Sequence, residues 1–492
     1  MRRTLRWWDL IMLGIGGIIG TGIFVLSGNA AAENAGPAII ISFILAGITA
    51  LLAALSYSEM SSMIPVSGSA YTYAYATMGE FVAWIIGWDL VLEYMVGSAT
   101  VAVGWSAYFV TFFKVAFGLH LDSRWTTPLL YWNETEKAFS TLPDGGFNLP
   151  GFLVVIICTI VLVFGIRESA WFNNAMVLLK CSVIIIFIIS GFFYINKDNW
   201  TPFVPPNTDD NWRHFGVGGI FAAATKIFFA YIGFDAVTTT ALECKNTKRD
   251  LPIGILGSLF ISTVLYILVA LVMTGVAHYT LLSGASPITT VAELTGQRWL
   301  VIILDLGALA GLTSVILINL LGQPRIFYSM AVDGLFPSAF AKVHPRWKTP
   351  WIPTIISGVL TALLGGFFPI DILGNLTSVG TLLAFLLVHI GIIILRFKKP
   401  DLPRPFQIPG PYYTWMVVPV LGILSCLALI IVSENQTIWR LFGWLLIGLV
   451  FYFLFGFWKS KLRVLQDDEK ALEESSQPSS NEPDILDLRQ DN

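Results

Sequence analysis

The first apolar stretch is interrupted where a membrane helix can least tolerate it. Gly14-Ile-Gly-Gly-Ile-Ile-Gly-Thr-Gly-Ile-Phe24 holds five glycines in eleven residues. Each costs a helix about 1 kcal/mol relative to alanine. The surrounding run, Leu10 to Leu26, is otherwise apolar enough to enter a bilayer. Within lipid, unwound backbone survives only where it is buried in protein or lines a cavity. The sequence therefore predicts a helix broken at membrane depth, whose free N–H groups and positive half-helix end face something polar. A carboxylate-bearing solute suits that end.

Such a reading needs a chain that is largely embedded in membrane, and the composition agrees. Hydrophobic residues make up 55% of the 492 and charged residues 12%, with a mean hydropathy of +0.72. One soluble core cannot hide that much apolar sequence. About twelve apolar segments fall near 8–28, 38–60, 80–112, 150–166, 174–195, 217–241, 253–278, 298–329, 351–369, 374–396, 412–433 and 438–458. The fold class expected is all-α, with about twelve transmembrane helices. From Val464 to Asn492 the chain turns polar and acidic, which predicts a disordered tail. The N-terminal Arg2, Arg3 and Arg6 precede a run without a small-residue cleavage site, so this run is the first span rather than a removed signal.

Lysine and arginine set the orientation. With the N-terminus in the cytoplasm, alternate loops carry Arg167; Lys245, Lys248 and Arg249; Arg325, Lys342, Arg346 and Lys348; and Arg396, Lys398, Lys399 and Arg404. The opposite loops are poorer in cations. Both termini are therefore expected in the cytoplasm of a cell-membrane protein.

A second interruption decides the organisation. Phe228-Phe-Ala-Tyr-Ile-Gly-Phe-Asp-Ala-Val237 is an apolar helix broken at Gly233 with Asp235 beside it. One glycine alone is more often a helix-packing device. Here it occupies, in span six, the place that the first break holds in span one. Paired discontinuous helices mark a site between two structural repeats.

These stretches resemble the amino acid–polyamine–organocation superfamily and, within it, the cationic amino acid transporter family. Gly16 to Phe24 is similar to its carboxylate motif, and Ser58-Glu-Met-Ser-Ser-Met-Ile-Pro-Val-Ser-Gly-Ser-Ala-Tyr-Thr-Tyr73 to its second-span exit. Phe228 to Val237, with Glu243-Cys-Lys-Asn246 and Asp250-Leu-Pro-Ile-Gly254, resembles its sixth span and following loop. Pro324-Arg-Ile-Phe-Tyr-Ser-Met-Ala-Val-Asp-Gly-Leu-Phe-Pro337 resembles its eighth-span exit. The resemblance covers about residues 1–460 and leans toward bacterial members.

It implies a LeuT-type 5+5 inverted repeat, with repeat one at about 8–195, repeat two at about 217–396 and peripheral helices at about 412–458. The substrate set implied is Ile18, Ile19, Gly20, Thr21 and Gly22 from span one, with Phe229, Ala230, Tyr231, Ile232 and Gly233 from span six. Backbone around Ile18 to Gly22 would take the substrate carboxylate. Carbonyls around Phe229, Ala230 and Ile232 would take the ammonium, with Phe229 as an aromatic gate. Asn319, a few residues before Pro324-Arg325, would limit side-chain length.

Ionisable residues inside spans are functional candidates by default. Lys180 either snorkels to the interface or supplies a reversibly protonated ammonium at the junction of spans one and five. Proton-coupled relatives carry a lysine at the matching place. Glu93 would flank the substrate side chain, or else form a structural pair. Asp235 is a second acid at the span-six break or a cap of the half-helix after it. Glu59 and Arg325 are expected in a gate or structural ion pair near the cytoplasmic face.

The function expected is secondary active amino acid transport. A proton-coupled symporter for a neutral substrate such as alanine leads, and arginine or lysine are close alternatives. An exchanger or a substrate-sensing receptor remains open. The polar residues are too scattered for an embedded enzyme, and no nucleotide-binding motif appears. Cys158, Cys181, Cys244 and Cys426 show no metal or disulfide spacing, and no cofactor is expected. The partners expected are the amino acid, a proton and the bilayer. The sequence leaves the oligomeric state open.

Overall fold

A computed structural model describes residues 5–64, 69–133, 138–142, 145–164, 170–208, 211–240, 244–284, 286–408, 410 and 412–461. The acidic tail over 464–492, Arg2, Arg3, Arg167, Glu243 and part of the Ser58–Tyr73 stretch fall outside the described residues.

In chain order the helices are α1 (Trp7–Ile18), α2 (Ser27–Ala30, between wide π-turns at Gly22–Leu26 and Ala31–Ala35), α3 (Ile39–Met63), α4 (Ser69–Met78), α5 (Glu80–Phe117) and α6 (Ser123–Thr126). There follow α7 (Leu149–Val163), α8 (Ala170–Phe192), α9 (Gly216–Ile227), α10 (Ala236–Thr239), α11 (Thr247–Val276) and α12 (Pro287–Leu294). The chain continues through α13 (Arg298–Val332), α14 (Trp351–Phe367), α15 (Ile370–Lys398), α16 (Val417–Val432), α17 (Asn435–Phe451) and α18 (Phe457–Lys459).

The fold is that of an all-α membrane protein. Among the described residues, nine helical stretches are long and apolar enough to cross a bilayer, and α1, α7 and α14 are shorter apolar helices. Each of the twelve apolar segments expected from the sequence coincides with one of these. The loop between α5 and α7 holds the one strand pair among the described residues. There β1 (Leu130–Asn133) pairs antiparallel with β2 (Ala138–Thr141), Leu130 opposite Thr141.

Local chemistry sets the helix ends. Gly118 adopts a left-handed φ of +68° and closes α5 by donating to Lys114 O, while Leu119 N–H reaches Phe113 O. That is a glycine C-terminal cap. At the start of α7 the Asn148 side chain accepts from Gly151 N–H, with Pro150 in the first turn.

The long α5 and α13 pack along each other through the middle, α1 lies on α11, and α15 lies on α5. Span six around α9 and α15 are the most enclosed of the long helices, with 78% and 72% of their apolar windows buried, against 28% and 22% for α16 and α17. The last two therefore form the rim. One of them, α17, is fastened to the centre by reciprocal bonds: Trp88 Nε1 donates to Trp444 O (2.9 Å) and Trp444 Nε1 to Trp88 O (3.1 Å).

Candidate functional site

Both interruptions expected from the sequence are present, and they touch. The inner helix α1 ends at Ile18, and Ile19 turns to an extended conformation (ψ 100°). The outer piece restarts with Ile23 and Phe24 N–H both reaching Gly20 O. By the geometry of a helix start, the N–H groups of Gly20, Thr21 and Gly22 then have no acceptor within the helix. In span six α9 tightens to a 3-10 turn over Phe228–Tyr231, Ile232 becomes extended, and Gly233 takes φ +112°. A Cβ on Gly17 would stand 2.9 Å from Gly233 O, and one on Gly22 would stand 2.2 Å from Ala230 Cα. Only backbone fits at either crossing.

The carbonyls released by the first break are taken by side chains from distant helices. Lys180, on α8, is fully buried, and its ammonium donates to Gly16 O (2.5 Å) and Ile19 O (3.0 Å). It does not snorkel. A cation at a helix C-terminus is favoured by the helix dipole, and these are carbonyls that α1 cannot satisfy itself. The Tyr266 hydroxyl, on α11, lies 2.8 Å from both Ile18 O and Ala230 O, joining the two breaks at one atom.

A small cavity opens where the breaks meet. Span one contributes Gly17, Ile18, Gly20 and Thr21 to its wall, and span six contributes Phe229, Ile232, Gly233 and Asp235. Glu93, Tyr94 and Gly97 of α5 and Val315 and Asn319 of α13 complete it. It encloses about 20 Å³, room for roughly one water-sized sphere. Any larger guest must displace the walls.

Among the described residues, several polar groups on this wall lack hydrogen-bond partners. The Thr21 hydroxyl is buried without a partner. Neither carboxyl oxygen of Glu93 has a hydrogen-bond partner. The Thr381 hydroxyl of α15 donates instead to Thr377 O (3.0 Å). Asp235 accepts from the Tyr94 hydroxyl (3.1 Å) through one oxygen, while the other has no partner. Although Asp235 occupies the N-cap position of α10, its side chain makes no capping bond. Among the described residues the Ile232 carbonyl accepts no hydrogen bond.

Of the residues singled out from the sequence, Ile18, Gly20, Thr21, Glu93, Phe229, Ile232, Gly233, Asp235 and Asn319 line the cavity together. Ile19, Gly22, Ala230, Tyr231 and Lys180 do not line it. Ile19 O is occupied by Lys180, Ala230 O by Tyr266, and the Tyr231 hydroxyl donates to Phe43 O (2.8 Å). Gly22 is a packing residue beneath Ala230. Tyr94 and Tyr266 were missed; a hydroxyl inside an apolar span was the available signal. Glu59, expected in a gate or structural ion pair, is in one. It pairs with Arg396 and, at 3.5 Å, with Arg404, and accepts from Ile408 N–H (2.8 Å). On the opposite side of the cavity along span six, Lys226 bonds Glu33 (2.8 Å) and Asp371 (3.0 Å).

An all-α membrane chain with two broken helices meeting at one enclosed polar cavity is built as a transporter. Residues 5–453 match the family model described as amino acid permease, and the chain belongs to that family, as the motifs in spans one, two, six and eight anticipated. It is 47% identical over 463 residues to a branched-chain amino acid permease, BcaP, of Bacillus subtilis, covering 94% of this chain and 95% of that protein. It is 41% identical to a methylthioribose transporter of the same organism, over 93% of this chain and 94% of the relative. The human cationic amino acid transporter 4 shares 36% identity over 84% of this chain and 62% of its own length. The protein is a transporter rather than an enzyme.

Proposed function

We propose that the protein is a proton-coupled symporter of the cell membrane that takes up neutral amino acids of small to medium side chain, from alanine to the branched aliphatic ones. In this reading both termini are cytoplasmic. Spans one to five (about 8–195) and six to ten (about 217–396) form the two repeats, and 412–458 lies outside them. The substrate carboxylate sits against the N–H groups of Gly20 to Gly22 and the Thr21 hydroxyl, where a helix start attracts an anion. Its ammonium faces the Ile232 carbonyl. The side chain points toward Val315, Asn319 and Gly97, with Phe229 closing over it. A branched substrate accords with the name of the 47% identical relative.

One observation carries the coupling: the Lys180 ammonium holds two carbonyls of the first break. Loss of its proton removes the charge that the end of α1 stabilises. Protonation and the position of the inner half-helix are thereby linked.

A second reading follows from Glu93, which faces the cavity unpaired. A free carboxylate there would admit lysine, arginine or ornithine, in keeping with the relatives named as cationic amino acid transporters. In proteoliposomes with an imposed proton gradient, labelled alanine, valine and leucine should accumulate and arginine should not. Lys180→Met should keep substrate binding but lose gradient-driven accumulation. Uptake that requires sodium and ignores pH would overturn the coupling. Flux only against internal substrate would make the protein an exchanger, and binding without flux would make it a sensor.

A further inference from the structure

An open groove lies away from the central cavity, at the start of α11. It measures about 640 Å³. One end carries Lys248 and Arg249, both exposed, and its walls are Leu256, Gly257, Phe260 and Phe406. Phe260 is 71% exposed, as expected of a ring turned to lipid rather than to protein. Among the described residues neither cationic side chain makes an ion pair or hydrogen bond. Several other cations near the helix ends are engaged: Arg396 and Arg404 by Glu59, Arg213 by the carbonyls of Val432 and Ser433, and Arg298 by Val115 O.

Two free positive charges at the head of a long apolar trough match one kind of molecule by charge and by shape. We propose that an anionic phospholipid of the cytoplasmic leaflet docks here. Its phosphate lies against Lys248 and Arg249, and an acyl chain runs along Leu256 and Phe260 beside Phe406. Basic pockets beside transmembrane helices recognise acidic headgroups in this way. The position gives the lipid leverage on transport. Gly257 forms the trough floor, and a Cβ there would stand 3.0 Å from Ile11 of α1. A chain seated in the trough therefore braces the inner half-helix whose far end Lys180 holds. The leaflet assignment rests on the orientation proposed above; the binding itself does not.

The test uses the full-length protein and phosphatidylglycerol as probe, against phosphatidylcholine. Native mass spectrometry from mixed micelles should show wild type retaining phosphatidylglycerol preferentially. Lys248→Gln with Arg249→Gln should reduce that retention by about tenfold or more, since each basic residue near an acidic surface contributes about 1 kcal/mol. Lys398→Gln, an exposed cation at the end of α15, should leave it unchanged. Uptake in vesicles should rise on adding phosphatidylglycerol for wild type and not for the double variant. Equal retention by wild type and the double variant, or equal loss with Lys398→Gln, would overturn the proposal. An impermeant thiol reagent directed at Lys245→Cys reads the orientation separately. Labelling from outside would refute the leaflet and the proposed topology while the retention result stands.

Discussion

The two breaks solve the same problem in opposite ways. In span one the released carbonyls are covered by groups brought from elsewhere: an ammonium from α8 and a hydroxyl from α11. What stays open is a row of donors, the N–H groups of Gly20 to Gly22 and the Thr21 hydroxyl. In span six the chain turns through Gly233 in a left-handed conformation, and its acid is held by Tyr94. What stays open there is an acceptor, Ile232 O, beside the second oxygen of Asp235. Donors on one side and acceptors on the other suit the zwitterion proposed as substrate. The charge that completes the first break sits behind it, outside the cavity.

Substitutions at five positions press on this difference, in falling order of effect. Gly22→Ala places a methyl group 2.2 Å from Ala230 Cα. Backbone cannot yield there as a side chain would, so a loss of about 3 kcal/mol or more in stability is expected. Thermal unfolding in detergent should fall sharply, and an unchanged midpoint would mean the breaks do not touch. Tyr266→Phe strips one hydroxyl from two buried carbonyls, at about 1–3 kcal/mol. Because that hydroxyl serves both breaks, substrate affinity and thermal midpoint should fall together. A change in only one of them would separate the breaks energetically.

Gly20→Ala should act differently from Gly22→Ala. Its Cβ meets the Val315 side chain, Cγ2 at 3.3 Å and Cγ1 at 3.5 Å, a contact a side chain can relieve by a few tenths of an ångström where backbone cannot. Stability should change by less than about 1 kcal/mol, while binding, read by isothermal titration, weakens about tenfold as the donor row is crowded. Gly20→Val should abolish binding in a protein that still reaches the membrane. Asn319→Ser should produce the smallest effect, a shift of a few-fold in competition profiles toward long cationic side chains, and Glu93→Gln should reverse it. Unaltered profiles in both variants would remove Asn319 and Glu93 from the side-chain pocket.

Much of this arrangement was legible in the chain, for a local reason. Helix breaks are written in contiguous residues, so Gly14 to Phe24 and Phe228 to Val237 announce themselves. Nine of the residues chosen from those stretches and from Glu93 and Asn319 share one cavity wall. Partnerships were not legible. Lys180 reaches Gly16 across 164 residues of sequence, and Tyr266 reaches Ile18 across 248; no spacing rule encodes either. The partners of Glu59 were hidden for the same reason: Arg396, at the end of α15, lies 337 residues away, and Arg404 farther still. The hairpin at 130–141 went unread because a single pair of four-residue strands carries too little alternation to stand out in a loop. The ends of α7 and α14 fall a few residues short of the apolar runs, because hydropathy marks where apolar sequence runs, not where the backbone stops winding.

The contact of Gly17 with Gly233 has a mechanical consequence. Helices usually interlock through side-chain ridges and grooves, which hold them in a few preferred settings. Two bare backbones offer no ridge, so these half-helices meet as smooth bearing surfaces. Were one to shift over the other during transport, no rotamer at this contact would have to change. Friction at this contact, rather than affinity in the cavity, is what a methyl group at Gly17 would raise, and it would register as slower turnover.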